Sequence, residues 1–251
     1  GLSEKMATLV FRPRIKICRQ GIKTMSDAAL TKEKQYQVCV DAAEERGFER
    51  LGLRSSESWY QDPKHLVFRL SRYKFVAKML AGKDSVLEVG CGDAFGPRIV
   101  QAEVGNFTGL DFDPLFIEDV KSRMVQGWEF DALVHDLLDG PPPGKYDAVY
   151  ALDVLEHIEP AVEDEFLKNS FAGLGENGVG IIGIPTLESQ AYASPQSKEG
   201  HINCKTAPDL KELMSKFFHN VFIFSMNDEV VHTGHHKMAH YVFAIGAGKR
   251  S

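Results

Sequence analysis

No apolar run in this 251-residue chain approaches the ~20 residues that a membrane-spanning helix needs, so a spanning protein is excluded. Positive charge is not in excess either. Lysine and arginine number 29 against 35 acidic residues, a net charge of −6. A broad nucleic-acid-binding face is therefore not indicated. The four cysteines (Cys18, Cys39, Cys91 and Cys204) contain no CxxC pair. That argues against a disulfide framework and a cysteine zinc site, and for a reducing compartment, here taken as the cytoplasm. Internal repeats are missing, and low complexity is confined to Pro141, Pro142 and Pro143. What is present is an ordinary globular composition, 43% hydrophobic and 25% charged, enough to build a sizeable core.

Charge is distributed unevenly. Residues 1–24 hold six basic side chains against one acid, Glu4. This stretch reads as a flexible basic arm (1–30), as a transit-like segment, or as translation upstream of Met25. Its apolar stretch is too short for a secretory signal. Beyond it, 31–49 reads as a helix and 50–62 as polar and irregular. A second helix is expected over 63–81, with Asp62 as its cap and Pro63 in its first turn. Together, 31–82 is expected to form a helical lid before a main domain at 83–251.

After Gly82 the pattern changes. Strands are predicted at 85–89, 107–111, 128–135, 146–152 and 178–184. Helices are predicted at 95–103, 114–125 and 159–174. Alternation of this kind implies parallel strands covered by helices on both faces, with right-handed crossovers. A helix capped by Thr206, with Asp209 three residues on, follows. Strand runs at 220–226 and 239–245 are too close for a helical crossover and predict an antiparallel pair.

The chemistry concentrates in VLEVGCGDAFG, residues 86–96. Glycines at 90, 92 and 96 follow a strand and open a helix, so a ligand can approach the backbone there. The spacing is GxGxxxG, not the GxGxxG of dinucleotide binding, which disfavours a nicotinamide-dependent oxidoreductase. Glu88 suits a cationic ligand terminus better than a pyrophosphate. Asp111, 19 positions after Gly92, is placed to bond a ribose, while Asp113 better fits a helix cap. Asp136 in VHDLL could accept from an exocyclic amine, or be a turn carboxylate.

EVGCGDAFG, GLDFDP, VHDLLDGP and YDAVYALDVLEHIEP, in this order, resemble the successive motifs of class I S-adenosylmethionine-dependent methyltransferases. The resemblance covers about residues 84–185. It implies a doubly wound α/β, Rossmann-like fold: a seven-stranded, mostly parallel sheet of order 3-2-1-4-5-7-6 with an antiparallel last strand. It implies S-adenosylmethionine as cofactor and S-adenosylhomocysteine as product. Glu88, Gly90, Cys91, Gly92 and Gly96 would surround the methionine part and Asp111 the ribose. Asp136 would serve the adenine region, with Phe112 and Leu137 packing on the ring, and Leu152 completes the expected cofactor set.

For catalysis the resemblance points to Asp153, Glu156 and His157 after the fourth strand. Some ubiquinone-pathway O-methyltransferases bind a divalent cation through a similar acidic-x-x-Glu-His segment. Here Asp153 stands where that pattern often has Glu, and no metal is expected to be needed. A cluster of acids at a helix start is the alternative. The segment between the last two strands holds His232, His235, His236 and His240, and the loop after strand five holds His201. Of these, His232 and His201 are the acceptor-side candidates. Trp59, Tyr60 and His65 read equally as a lid or as core. The expected function is methyl transfer to a small-molecule acceptor at oxygen, against the alternative of an inactive binding scaffold or regulator. Oligomeric state is not encoded in these patterns.

Overall fold

The computed structural model describes residues 30–250, so the basic stretch 1–24 lies outside the described residues. The described residues fall into two units, one ending at Glu49 and the other beginning at Arg50. In the first, a short 3-10 turn at Lys34–Tyr36 leads into α1 (Gln37–Arg46), which buries none of its side chains. The helix expected over 31–49 is thus shorter, because only partial apolar spacing supports it. None of the described helices is long and apolar enough to cross a membrane.

The second unit begins with a helix that the sequence pattern did not suggest. The segment expected to be irregular contains α2 (Leu53–Gln61). Its one buried residue is Ser55, a polar one, so an apolar period has nothing to report. Then comes α3 (Pro63–Leu80), where Asp62 accepts from the Lys64 amide and Pro63 occupies the first turn. Leu66, Val76, Ala77 and Leu80 form its buried face.

The sheet follows. Its strands are β1 (Ser85–Val89), β2 (Asn106–Asp111), β3 (Asp131–Val134), β4 (Tyr146–Leu152) and β5 (Leu174–Pro185). The crossovers hold α4 (Arg98–Gln101), α5 (Pro114–Ser122) and α6 (Glu163–Ala172). A short α7 (Pro195–Gly200), capped by Ser194, had no sequence signal. Next is α8 (Ala207–Ser215), where Thr206 Oγ accepts from the Asp209 amide as the sequence suggested. The chain closes with β6 (Phe218–Asn227), a three-residue β7 (Val230–His232) and β8 (Tyr241–Lys249).

The strand order is β3-β2-β1-β4-β5-β8-β6-β7. It reproduces the expected arrangement with one added edge strand, β7, which turns back on β6 through pairs such as Ser225 with His232. β1 to β5 are mutually parallel, and β8 runs antiparallel between β5 and β6. Alternation along each strand feeds two cores. Leu87, Val89, Val149 and Ala151 pack with α6 and α8. Val86, Ala148, Tyr150 and Leu152 pack with α3 on the other face. That alternation also sends Glu88 to the α3 face, next to Tyr73 and Tyr150.

Candidate active site

A cavity of about 560 Å³ opens at the carboxyl ends of the parallel strands, where such sheets bind ligands. One side is built by the turn after β1. Gly90 and Gly92 have φ of +71° and +53°, a backbone region that other residues enter only at a cost. At Gly90 a side chain would also collide with Val154. At Gly92 an added Cβ would meet nothing within 4 Å. The bare backbone there faces open cavity, which fits a ligand lying against it. The amides of Gly90 and Cys91 both donate to the Leu110 carbonyl, which stitches this turn to β2.

Asp111 ends β2 and is almost fully buried. Its Oδ2 accepts from the Gly92 amide at 2.9 Å, and its Oδ1 from the Asp113 amide at 3.0 Å. Both oxygens keep a lone pair for a hydroxyl. Asp113 is the cap of α5, accepting from the Leu115 amide. Further along the wall, Asp136 accepts from the Leu138 amide in a turn. Phe112 is 71% exposed beside the cavity, and Leu137 is buried in its floor. Gly90, Gly92, Asp111, Phe112, Asp136 and Leu137 therefore line one cavity.

Four expected cofactor residues lie off that wall. Leu152 is buried in the α3-side core. Cys91 and Gly96 line a second, smaller cavity of about 20 Å³, room for one water. A side chain at Gly96 would run into the Tyr73 ring, so glycine there lets α3 approach. Glu88 lies wholly buried on the same sheet face. Burial pushes its carboxyl up to about 8, although the Tyr73 and Tyr150 hydroxyls that face it favour the charged form.

The opposite rim follows β4. Asp153 has φ of +58°, and Arg72 Nη1 donates to both its oxygens at 2.7 Å. Arg72 in turn lies over the Tyr241 ring, 3.9 Å from its centre. Burial alone would raise the Asp153 carboxyl, but the Arg72 and Arg54 guanidinium groups hold it below the usual range. It is a fixed anion. Glu156 is fully buried with neither oxygen hydrogen-bonded to a side chain. Burial first, then the Asp153 charge, pushes its carboxyl well up. His157 borders the cavity, and its Nδ1 lies 2.8 Å from the Gly200 carbonyl. His201 stacks edge-on against His157 with ring centres 5.2 Å apart. Burial, then the His157 charge, lowers its pKa.

His232 is not brought to this rim. It sits on β7, accepts from the Gly234 amide at Nδ1 and contacts Asn227 Oδ1 at 2.8 Å through Nε2. Both ring nitrogens are engaged in holding the β6–β7 turn. Trp59 and Tyr60 are exposed, not core. One residue that the motifs did not reveal is Arg54 on α2, which borders both cavities and lies 3.8 Å from Asp153. Its neighbours explain its place. The Ser55 amide and hydroxyl donate to Asp93 in the glycine turn, and Arg69 donates to Ser55 Oγ. A polar helix is thus docked on the turn by hydrogen bonds.

Comparison with known proteins agrees with this geometry. Residues 87–179 match the family described as "Methyltransferase domain". A protein from Mycolicibacterium smegmatis, named a probable S-adenosylmethionine-dependent methyltransferase, is 28% identical over 135 residues. That match spans 53% of this chain and 48% of the relative, about half the length of each. The N-methyltransferase NodS from Bradyrhizobium japonicum, solved with S-adenosyl-L-homocysteine, is similar in fold at a TM-score of 0.58 and 14% identity, covering 77% of this chain and 92% of its own. The plantazolicin methyltransferase BpumL, also solved with that product, gives 0.59 at 12% identity over 78% and 90%. Motif, strand order and cavity agree with these matches: residues 87–179 are similar to a methyltransferase domain, and the fold is the Rossmann-like one of the class I S-adenosylmethionine-dependent methyltransferases.

Proposed function

We propose that the protein transfers a methyl group from S-adenosylmethionine to an oxygen of a small-molecule acceptor, in the cytoplasm. One observation carries this reading: a single cavity joins the glycine turn, Asp111 and Asp136 on one side to Asp153 and His157 on the other. The bound cofactor supplies a methyl group on a positively charged sulfur. Asp111 holds the ribose, Asp136 and Phe112 hold the adenine, and the bare backbone at Gly92 lets the methionine part approach. Arg54, which borders the cavity with a half-exposed side chain, pairs with a cofactor carboxylate. Positioning of donor and acceptor contributes ~7–11 kcal/mol to such a displacement.

An oxygen acceptor must also lose a proton. Asp153 is a poor candidate to take it, since its arginine partners stabilise the anion. The reading therefore gives that task to the imidazoles of His157 and His201, with Glu156 beneath them. His232, tied up on β7, drops out of the catalytic set. The test is calorimetric titration with S-adenosylmethionine, S-adenosylhomocysteine and NAD, followed by turnover across hydroxyl and amine acceptors. Micromolar binding of both adenosyl ligands, none of NAD, and turnover of hydroxyl acceptors is the expected result. Turnover confined to amines overturns the oxygen assignment, and binding without any turnover favours a scaffold.

A further inference from the structure

Arg72 commits one nitrogen of its guanidinium to the protein and leaves another unused. Nη1 alone donates to both oxygens of Asp153, at 2.7 Å each. Nε is buried and has no hydrogen-bond partner among the described residues. In a planar guanidinium, Nε shares an edge with Nη2. That edge matches the two oxygens of a carboxylate or a phosphate. The group is held in place, since it lies over the Tyr241 ring at 3.9 Å and the residue is 6% exposed. A buried N–H without an acceptor costs free energy, so an oxygen brought to this edge is favoured.

The carboxylates that act on the Arg72 charge are Asp153 and Glu156. Both oxygens of Asp153 are taken up by Nη1. Burial, then the Asp153 charge, pushes the Glu156 carboxyl well up, so it keeps its proton. The remaining neighbours are rings. Phe68 lies between His65 and His240, its ring centre 6.4 Å from each. His65 and Phe68 stand in the first two turns of α3, and His240 directly precedes Tyr241 at the start of β8. Burial first, then the Arg72 charge, lowers the pKa of both imidazoles, so they are uncharged at neutral pH. His65 is exposed, which opens this place to solvent.

We infer that the second edge of Arg72, flanked by His65, Phe68 and His240, holds an anionic group of the methyl acceptor, a carboxylate or a phosphate. Asp153 lines the main cavity, and Arg72 is bonded directly to it. An acceptor anchored by its charged end therefore extends its hydroxyl past Asp153 toward the donor, with its body against the rings. A protonated amine would instead meet two guanidinium groups and find Asp153 already paired. The use of this site rests on the methyl-transfer reading. The anion site itself does not.

The test is calorimetric titration of the full chain, in excess S-adenosylhomocysteine, with benzoate, with phenyl phosphate and with uncharged benzamide. Saturable binding of benzoate or phenyl phosphate is expected in the low millimolar range, with benzamide at least tenfold weaker, and the tighter anion names the acceptor's group. Arg72→Lys keeps a cation for Asp153 but removes the second edge. It should weaken the anion at least tenfold and leave the affinity for S-adenosylhomocysteine unchanged. Arg72→Met/Asp153→Asn, which leaves no buried charge unpaired, should do the same and serves if the lysine variant does not fold. His235→Ala/His236→Ala should bind as the parent does. Failure of both anions to bind overturns the site, as does benzamide binding equally well. Anion binding that survives both Arg72 variants also overturns it. Binding seen only without S-adenosylhomocysteine would place the anion on the cofactor's side and overturn the acceptor subsite. Arg72-dependent anion binding in a chain that fails to bind S-adenosylhomocysteine keeps the anion site and removes the methyl-transfer reading.

Discussion

Glu88 is the residue whose surroundings most change its chemistry. Its carboxyl moves from an ordinary 4.5 up to about 8 on burial, with the charges of Asp111 and Asp93 adding to the shift. The folded protein therefore binds a proton there that the unfolded chain releases between those values. In that window the native state holds more protons, so stability falls as pH rises from about 4.5 to about 8 and is flat above. Glu156 is pushed in the same direction and adds to this slope. Glu88→Gln should make the fall in urea midpoint between pH 5 and pH 8 visibly shallower without removing it. An unchanged slope would mean that Glu88 is ionised in the folded chain. Proton uptake or release should also report its partner. A cofactor ammonium beside Glu88 would expel the proton on binding, and calorimetry in buffers of different ionisation enthalpy would detect it. The acid itself was legible two positions before the first glycine. Its burial was not, because Tyr73 and Tyr150 reach it from α3 and β4, and nothing local to the motif names them.

At the scale of elements, the parallel strands were legible because each is short, apolar and followed by a helix with its own cap. Asp62, Asp113 and Thr206 all cap where their side-chain chemistry suggested. α2 was not legible for the converse reason. It is held by Ser55, Arg69 and Asp93 through hydrogen bonds, and a polar attachment leaves no period to read. α7 is too short to carry one, and β7 is a three-residue return on β6. The α3-to-sheet contact carries a second polar lock, the Arg72–Asp153 pair, with both side chains under 10% exposed. Removing one partner from a buried pair typically costs about 3–5 kcal/mol, because the other charge is left uncompensated. Arg54 lies near enough to offset part of this, so Arg72→Met should cost near the lower end of that range in urea unfolding. Adding Asp153→Asn should restore most of the loss, since asparagine tolerates the positive φ there and leaves no buried charge. A loss in the double variant as large as in the single one would show that Arg72 acts through packing on Tyr241 alone.

Across the whole molecule, the two halves of the cavity come from different physical sources. The half proposed for the cofactor is a property of β1 and β2: glycines where the backbone must turn, an acid at the strand end, and a register that pairs Val89 with Leu110. Such a half is local and was readable from the motifs. The half proposed for the acceptor is assembled from the ends of β4 and β5 and from α2, brought together only by the sheet order. That is why Asp153 and His157 could be named while the pairing with Arg72, Arg54 and His201 could not. This division predicts a separable ligand response. A ligand that binds only the folded state adds ~2.7 kcal/mol of stability at a hundredfold excess over its Kd. For a unit of this size each kcal/mol raises Tm by ~2–4 °C, so S-adenosylhomocysteine should raise it by ~5–10 °C. NAD should give no shift. Asp111→Ala removes the acceptor proposed for the ribose and also the partners of the Gly92 and Asp113 amides. The variant should therefore melt lower than the parent and require at least tenfold more S-adenosylhomocysteine for the same rise, equivalent to ~1.4 kcal/mol. His201→Ala, on the acceptor half, should keep the full rise. A full shift in Asp111→Ala would detach the ribose from β2, and a lost shift in His201→Ala would mean that the two halves fold around the ligand as one.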